Sequence, residues 1–393
     1  MEPAILQPVK TNQRTVIVDV LRGWAILGVV IGNYTDYADV GHPLTHTPNL
    51  VSTILTEINH YFFAAKSWTL LSVLFGYGFA ILMNNVAAKG KNPVLFFCNR
   101  MFWLFVLAFI NSAFWFGDIL KDYAFLGLIL LLFHGRSAKL SFRVAVVLLF
   151  IVPFVGAYVA QVMPYDYQKN FDPLLPLYYS HNWLDIFVMN LKGTYVTEMI
   201  NPQYAIPVHI TMFGCMLLGF AAQRIDFFNR LPEFKKQLKI AFWIFLSAAI
   251  IVNVVFLIAD DMHAVFLKYI RIRNWAVLST MLAILTAICW LYINGKLKSF
   301  FNGLQAMGKM TLTNYMSQGI LAVFIFLNVG LGIFNTQPYW FYVLIAVLVF
   351  TIQIFISKWW LTHYNYGPME WIWRQLSYGK QLPIKKQKEV GKD

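Results

Sequence analysis

Charged residues are scarce in this sequence. Only 12% of its 393 residues are charged, whereas 59% are hydrophobic and the mean hydropathy is +0.59. Soluble globular proteins carry about a quarter charged residues, so this composition excludes an ordinary soluble domain and predicts that lipid is the solvent. The aromatic content of 17% is typical of membrane spans flanked by interfacial Trp and Tyr.

Cysteines and acidic residues are also few. Cys98, Cys215 and Cys289 lie in or near apolar segments without a CxxC pair, which argues against a disulfide framework or a metal site. Acidic residues number 18 against 31 basic ones, and the net charge is +13. Because the bases cluster in short loops between apolar runs, we expect a bilayer and no nucleic acid as partner.

Apolar runs of spanning length recur along the chain. A transmembrane helix needs about 17–25 mostly apolar residues. The qualifying stretches are 16–35, 61–85, 94–116, 119–133, 142–163, 204–223, 239–259, 274–294, 311–334 and 338–361, of which the fourth is short. The first 15 residues lack the apolar core of a cleavable signal peptide, so we expect the first span to target the chain.

Loop charges predict the orientation. The basic segments are the N-terminus, 86–100, 134–143, 224–239, 295–309 and the tail after Lys358, and they alternate with segments that carry acids or little charge. Only 260–273 breaks this alternation, with Lys268, Arg271 and Arg273 against Asp260 and Asp261. Basic loops stay in the cytoplasm, so the pattern predicts ten spans with both termini inside.

The predicted fold is an all-α, polytopic membrane helix bundle. Residues 1–15 form a cytoplasmic segment, 16–362 a single transmembrane domain, and 363–393 an amphipathic cytoplasmic cap with a basic tail. The longest connector, 164–203, lies on the outer side and is rich in Pro and aromatic residues. Two interpretations stay open for it, a lid over a site or a segment on the bilayer surface.

The first span contains charges where lipid is expected. Asp19 and Arg22 are three residues apart and share one helix face. Charges inside spans cost about 2.5 kcal/mol or more, so each indicates a site unless the two form a structural ion pair near the interface. Asn33 ends the same span roughly 20 Å away. The first helix therefore offers polar groups at both membrane faces.

Histidines on the outer side are candidates for a general base. His42 and His46 lie in the first outer loop, where solvated histidines are common, and His60 opens the second span. His209 lies in the outer half of the sixth span. A neutral imidazole can accept a proton from a hydroxyl or amine near pH 7.

The hairpin at 114–125 is the most informative outer feature. Gly117 and Asp118 form its turn, Trp115 precedes it, and Tyr123 follows on the next helix. Asp118 either caps that helix or orients a histidine across a pocket.

Polar residues also mark the inner side. Thr311, Asn314 and Gln318 follow helical spacing on an otherwise apolar helix, which favours either interhelical hydrogen bonds or a site. Arg100 and Arg374 could bind phosphate, or follow the ordinary excess of positive charge inside.

Five segments together resemble the YeiB-like bacterial membrane proteins, and the match extends over about residues 14–376. The segments are DVLRGWAILGVVIGNY, KSWTLLSVLFGYGFAIL, FWFGDILKDYAFLGLILLL, GKMTLTNYMSQGIL and YGPMEWIWR. That family is in turn similar to the transmembrane acyltransferases that include heparan-α-glucosaminide N-acetyltransferase. The resemblance implies a helical bundle in a bacterial inner membrane and a homodimer. It also implies cytoplasmic acyl-CoA or acetyl-CoA as donor, a glycan or small-molecule acceptor outside, and a histidine as base.

The resemblance carries over to individual positions. The matching positions are Asp19, Arg22, Gly23, Asn33, Gly117, Asp118, Tyr123, Asn314, Tyr315, Gly367, Pro368, Glu370 and Arg374. The family often has a histidine before the hairpin, where this chain has Asn111 and Ser112, so the predicted base shifts to His60.

The functional hypothesis is acyl transfer across the membrane. The predicted roles are catalysis for His60 and Asp118, donor binding for Asp19, Arg22, Arg100, Asn314, Tyr315 and Arg374, and acceptor binding for Asn33, Trp115 and Tyr123. A transporter or flippase along the same polar path is the alternative. A receptor or assembly factor, in which these residues only pack the helices, is a third hypothesis.

Overall fold

Helices form most of the described part of the chain, and the long ones are apolar. The computed structural model describes residues 15–39 and 49–386, and within those ranges the only β-pairing is a single bridge between Tyr364 and Lys385. The helices in chain order are α1 (Val16–Asp39), α2 (Leu50–Ile58), α3 (Lys66–Ala87), α4 (Pro93–Ser112), α5 (Leu120–Leu130), α6 (Ala138–Val162), α7 (Tyr167–Phe171), α8 (Trp183–Thr194), α9 (Pro202–Arg224), α10 (Lys235–Asp261), α11 (Arg273–Ile293), α12 (Lys298–Lys309), α13 (Thr311–Phe326), α14 (Tyr339–His363) and α15 (Pro368–Tyr378).

Local sequence signals set where several helices begin. Asn92 and Asn201 precede α4 and α9, and each side chain accepts hydrogen bonds from backbone N–H groups of the first turn. Pro93 and Pro202 follow them, at the helix position where a missing N–H costs nothing. An Asn-Pro pair therefore starts each of these two spans.

Eight helical segments in the described ranges are long and apolar enough to cross a membrane. They are Val16–Ala38, Leu50–Ala87, Pro93–Ser112, Ala138–Val162, Pro202–Arg224, Leu231–Asp261, Arg273–Ile293 and Tyr339–His363. The other two predicted spans are shorter, because α5 has 11 residues and α13 has 16. At 1.5 Å per residue neither spans about 30 Å of hydrocarbon alone. The prediction that a helix continues to residue 334 is wrong, since turns follow Phe326 and Gly332 has φ +67°.

Apolar side chains cover the outside of the bundle. Only 6% of the most apolar window of Leu231–Asp261 is buried, and 33% of that of Tyr339–His363. Phe355 and Trp243 are 67% and 57% exposed. Water would not tolerate so many contiguous apolar side chains, whereas lipid tails match them. The chain is a polytopic helical membrane protein, as its composition predicts.

Basic loops lie together at one end of the bundle, which we call the basic end. Arg224, after α9, donates to the backbone oxygen of His134 at 2.6 Å. Thr15 at the start of α1 donates to Asn229 at 2.7 Å, in the loop before α10. Asn99 in α4 donates to the carbonyl of Ser377 in α15. The loops that charge assigns to one side are therefore neighbours.

The alternate loops meet at the opposite end, the far end. Asn190 of α8 donates to the carbonyl of Ala113, and Thr194 donates to that of Phe116 in the α4–α5 hairpin. The backbone N–H of Asn335 bonds to the carbonyl of Tyr37. The connector 164–203 consists of short helical turns and packs onto the hairpin through these bonds.

Glycines allow the central helices to approach closely. A Cβ at Gly23 would lie 2.0 Å from the carbonyl oxygen of Leu304, and one at Gly308 would lie 1.8 Å from that of Asp19. Such contacts between α1 and α12 are feasible only without a side chain. This packing brings the start of α13 beside Asp19 and Arg22.

Candidate functional site

A cavity of about 360 Å³ runs from the basic end toward the hairpin. Helices α1, α3, α4, α5, α13 and α15 form its walls. Thr15, Asn85 and Tyr378 line it at the basic end, and Ile119 and Leu120 line it directly after the hairpin turn. The volume is within the range of about 300–1,000 Å³ that is usual for small-molecule sites.

Four cationic side chains line the cavity, namely Arg22, Lys309, Arg100 and Arg374. A nitrogen of Arg22 lies 3.1 Å from a carboxylate oxygen of Asp19. The Arg100 guanidinium stacks on the ring of Trp373 at 3.6 Å, which fixes its plane. The four cations come from different parts of the bundle: Arg22 from α1, Arg100 from α4, Arg374 from α15, and Lys309 from the junction of α12 and α13.

Trp373 also joins α15 to α4. Its indole nitrogen donates to the carbonyl of Arg100 at 3.0 Å. Arg374, the next residue, lies 4.6 Å from the ring of Tyr366. These contacts hold the C-terminal helix against the cavity, so two arginines that are far apart in sequence face the same space.

The rest of the cavity is mostly apolar. Leu71, Leu74 and Phe75 of α3 face Met101 and Leu104 of α4. Close to the hairpin, Tyr123 and Tyr315 are the lining residues that carry a polar group. A ligand that fills this space would be anionic at one end and apolar along its length.

Asp118 lies in the hairpin, directly behind this apolar end, and is fully buried. One carboxylate oxygen accepts hydrogen bonds from Tyr315 and from Asn111, each at 2.9 Å. The hydroxyl of Tyr315 also accepts the N–H of Ile119 at 3.2 Å. Burial raises the pKa of Asp118 to about 6, although Lys121 and these donors oppose the rise.

A second polar cluster lies on the first turn of α5. Lys121 donates to the carbonyl of Asp118 at 2.6 Å and forms an ion pair with Glu198, at the end of the far-end connector. Asp122 contacts Lys121 at 3.5 Å and His209 of α9 at 3.1 Å. Burial raises the pKa of Glu198, and Lys121 opposes this by stabilising the carboxylate.

This cluster contains a histidine oriented by a carboxylate. When Nε2 of His209 donates to Asp122, its Nδ1 is the proton acceptor. The side chain of His209 is 31% exposed. An imidazole held in one tautomer by a carboxylate is the arrangement of many general bases.

Several residues predicted from the sequence meet at the cavity. They are Asp19, Arg22, Arg100, Tyr123, Tyr315 and Arg374.

Other predicted residues do not line the cavity. Asn314 faces away from it, and its amide donates to the Ser357 hydroxyl at 3.1 Å. Trp115 is buried against Tyr37, with ring centroids 5.2 Å apart. Asn33 is partly buried and does not line the cavity.

The predicted base, His60, has different neighbours. Its Nδ1 accepts from Arg273 at 3.0 Å, and its carbonyl accepts from Lys66. Within the described ranges no hydrogen bond joins His60 to Asp118. His42 and His46 lie outside the described residues.

Sequence reasoning missed Lys121, Asp122 and Glu198 as site residues. Lys121 and Asp122 are two adjacent charges immediately after the hairpin, at a point where a span was expected. This pair of charges in an expected span could have predicted a polar site there. Glu198 stands in a connector, where an acidic residue attracts no attention, and only the packing of the connector shows that it is buried.

Known proteins provide a family but no activity. The family model described as "Protein of unknown function (DUF418)" matches residues 222–380. The uncharacterised protein YxaH of Bacillus subtilis (strain 168) is 28% identical, covering 98% of this chain and 99% of the relative. An uncharacterised 39.9 kDa protein in the amylase 3' region of Bacillus acidopullulyticus is 27% identical, covering 98% and 100%. Uncharacterised YeiB of Escherichia coli (strain K12) is 23% identical, covering 93% and 96%. No solved structure matches the chain.

Proposed function

The chain belongs to the YeiB-like family of uncharacterised bacterial membrane proteins, and from that premise we propose that it is a membrane-embedded acyltransferase. It takes an acyl group from acyl-CoA in the cytoplasm and transfers it to a hydroxyl or amine on the far side of the inner membrane. The single observation that carries the proposal is the cavity, with a cationic lining at the basic end and an apolar interior that ends at the hairpin.

The cations suit the phosphates of coenzyme A. Arg100 and Arg374 present planar forks of N–H donors, which bind phosphate oxygens in pairs. Lys309 adds a third positive charge near the same opening. The guanidinium of Arg100 already lies flat on Trp373, so its orientation does not have to be ordered when the ligand binds.

The apolar part of the cavity suits the pantetheine arm and the acyl chain of the donor. A cavity of about 360 Å³ is at the lower end of the usual range, so the nucleotide part of the donor would lie at the opening. The thioester would then approach Tyr315 and Tyr123. Their hydroxyls donate to Asp118 and to the carbonyl of Trp68 in this structure, so either would have to change partner to stabilise the negative charge on a thioester oxygen during transfer.

His209 is the base that the geometry favours. It would take a proton from the acceptor hydroxyl or amine, whose oxygen or nitrogen attacks the thioester carbonyl. The carbon–sulfur bond then breaks, and the thiolate of coenzyme A leaves and is protonated. Asp122 would stabilise the imidazolium that forms. His60, by contrast, faces the cation of Arg273, which disfavours an imidazolium.

The hairpin separates the two halves of the proposed site. His209 is not among the residues that line the cavity, whereas Leu120 and Tyr315, at its hairpin end, are. Acyl transfer therefore requires the hairpin to move during turnover. The connector that packs on it through Thr194 would regulate that movement.

Donor binding is the first test. Purified protein in a neutral detergent is titrated with acetyl-CoA by calorimetry, and Arg100→Gln and Arg374→Gln are compared with Arg136→Gln, an exposed arginine outside the cavity. Losing a charge-assisted phosphate contact costs about 1.5–3 kcal/mol, so Kd should rise by about 10–100-fold in the first two variants only. No binding to the wild type, or equal binding in all variants, contradicts the proposal.

A transporter or flippase is the second candidate, and interrupted helices favour it. Ala65 has φ +64°, which separates the π-helical turn 59–63 from α3, and Met310 separates α12 from α13. Broken helices beside a polar path are typical of transporters. Proteoliposomes with acetyl-CoA in the external buffer distinguish the two functions. A transferase releases free thiol when acceptor is present, whereas a transporter moves substrate without releasing thiol.

A further inference from the structure

Two positive side chains converge on His60, and neither forms an ion pair with a described carboxylate. The ammonium of Lys66 donates to the carbonyl of His60, and the guanidinium of Arg273 donates to its Nδ1. Among the side chains that the structure describes, those of residues 15–38 and 49–386, no carboxylate lies within 4.0 Å of either cation. The nearest acidic influence is Glu57, which is exposed on α2. The described side chains therefore provide no ion pair for the positive charge at this place.

Lys66 is the more unusual of the two. It is only 5% exposed, and its ammonium has three N–H donors but a single acceptor in the described structure. Buried charges are normally paired, because an unpaired charge loses its hydration without compensation. Two of its donors thus have no acceptor among the described residues and remain for a bound group.

Both cations also open a helix. Lys66 is the first residue of α3 and Arg273 the first of α11, and neither helix start has a side-chain cap. The N-terminus of a helix carries partial positive charge and favours an anion, so a cation in the first turn is unfavourable. Two such helix starts with two cations produce one strongly positive location.

The loop before α11 carries positive charge that the ordinary orientation rule does not explain. Lys268, Arg271 and Arg273 are the basic residues that break the charge alternation, on the side where basic loops are otherwise avoided. Arg273 is held within the cluster by His60. A local requirement for positive charge accounts for its position.

The surroundings are open to lipid. Ile58 and Phe62, on either side of His60, are 40% and 54% exposed, and Arg273 is also exposed. An anion could therefore reach the cluster either from the bilayer or from the far-side solution.

We propose that Lys66, Arg273 and His60, together with the starts of α3 and α11, form a binding site for an oxyanion near the far end. The ligand is a phosphate or carboxylate group, carried by a phospholipid headgroup or by a small soluble molecule. This site shares no residue with the cavity at the basic end, and it does not depend on acyl transfer.

The test measures thermal stability of the full chain in neutral detergent. Either phosphatidylglycerol in mixed micelles or sodium phosphate is added, with sodium chloride at matched ionic strength as the reference. Binding at about 100 times Kd should raise the melting temperature by several degrees. The variants are Lys66→Met and Arg273→Gln, and the matched control is Lys268→Gln, an exposed base of the same loop.

We expect the wild type and Lys268→Gln to shift and the two cluster variants to lose the shift. A shift with phosphatidylglycerol alone identifies a lipid headgroup, and one with phosphate alone identifies a soluble oxyanion. Without ligand, Lys66→Met should melt at or above the wild-type temperature, because an unbalanced buried cation is removed. The proposal is overturned if the wild type does not shift, or if both cluster variants shift as much as the control. Arg273→Gln keeps the test decisive should Lys66→Met not fold, since Arg273 is exposed.

Discussion

The hydroxyl of Tyr315 lies 2.9 Å from a carboxylate oxygen of Asp118, although the two residues are 197 positions apart. This bond joins α13 to the α4–α5 hairpin at the point where the cavity ends. It connects a short helix that does not span the bilayer to a turn that the connector also holds, through Asn190 and Thr194. We therefore expect it to control both the stability of the hairpin and access beyond it.

Removing that hydroxyl should destabilise the bundle. Tyr315→Phe leaves the N–H of Ile119 without an acceptor and Asp118 with one donor fewer. An unsatisfied buried group costs about 1–3 kcal/mol. Denaturant unfolding in detergent measures the loss, with Tyr61→Phe, a partly buried ring, as control. Equal stability of the two variants would show that the bond contributes nothing.

Stability should fall as pH rises through the folded-state pKa of Asp118. Burial raises that pKa from an ordinary 3.8 to about 6, so the folded protein binds more protons than the unfolded chain between these values. The contribution is complete below about pH 4 and lost above about pH 6, with an upper bound of about 3 kcal/mol.

Asp118→Asn should therefore lack this part of the pH dependence. Melting temperatures between pH 4 and 7 test the prediction, with the exposed Asp261→Asn as a control that keeps the wild-type slope. A slope that Asp118→Asn leaves unchanged assigns the pH dependence to other groups.

The α1–α12 contact should not accept a methyl group. In Gly23→Ala the new Cβ would lie 2.0 Å from a backbone oxygen that cannot move alone. Overpacking of this kind costs about 1–3 kcal/mol. Gly32→Ala, on the same helix with nothing within 4 Å of its Cβ, should be neutral or slightly stabilising. Thermal unfolding of both variants provides the comparison, and matching losses would refute the close contact.

Glu370 should stabilise the start of α13. It accepts the backbone N–H of Leu312 at 2.6 Å and the hydroxyl of Thr313, so α15 caps a helix more than fifty residues earlier. Glu370→Ala should cost about 1–3 kcal/mol and Glu370→Gln less, since an amide oxygen can still accept. Glu57→Ala is the exposed control. If Glu370→Ala and Glu370→Gln lose the same free energy of unfolding, Glu370 does not stabilise the protein through these capping bonds.

A comparison of His209→Gln with His60→Gln, with His134→Gln as control, can decide which histidine is the base. His209→Gln should lower thiol release from acyl-CoA by about 10²–10⁴-fold without changing donor affinity. His134→Gln, at the basic end, should have no effect. A loss confined to His60→Gln would instead support the base predicted from the sequence and refute the role of His209.

The sequence predicted the donor side of the cavity better than the far side. Asp19 and Arg22 stood out because charges in apolar helices are costly. Arg100 and Arg374 were predicted as possible phosphate binders, and Tyr315 followed from the resemblance to the YeiB-like proteins. Their positions in the structure place all five on one cavity. Asn314, chosen by its helical spacing, faces a neighbouring helix, because helical spacing does not specify which partner a face meets.

By itself, the sequence determined the class of protein. Apolar run length and scarcity of charge require helices in lipid, and loop charge predicts their orientation, because both depend only on local composition. Tertiary structure decided which charges meet. Asp122 contacts His209, and Lys66 lies beside Arg273, across gaps of 87 and more than 200 residues. Such pairs depend on how helices cross and where glycines allow close approach. Helix crossing depends on the sequences of several helices together, so no single segment predicts it.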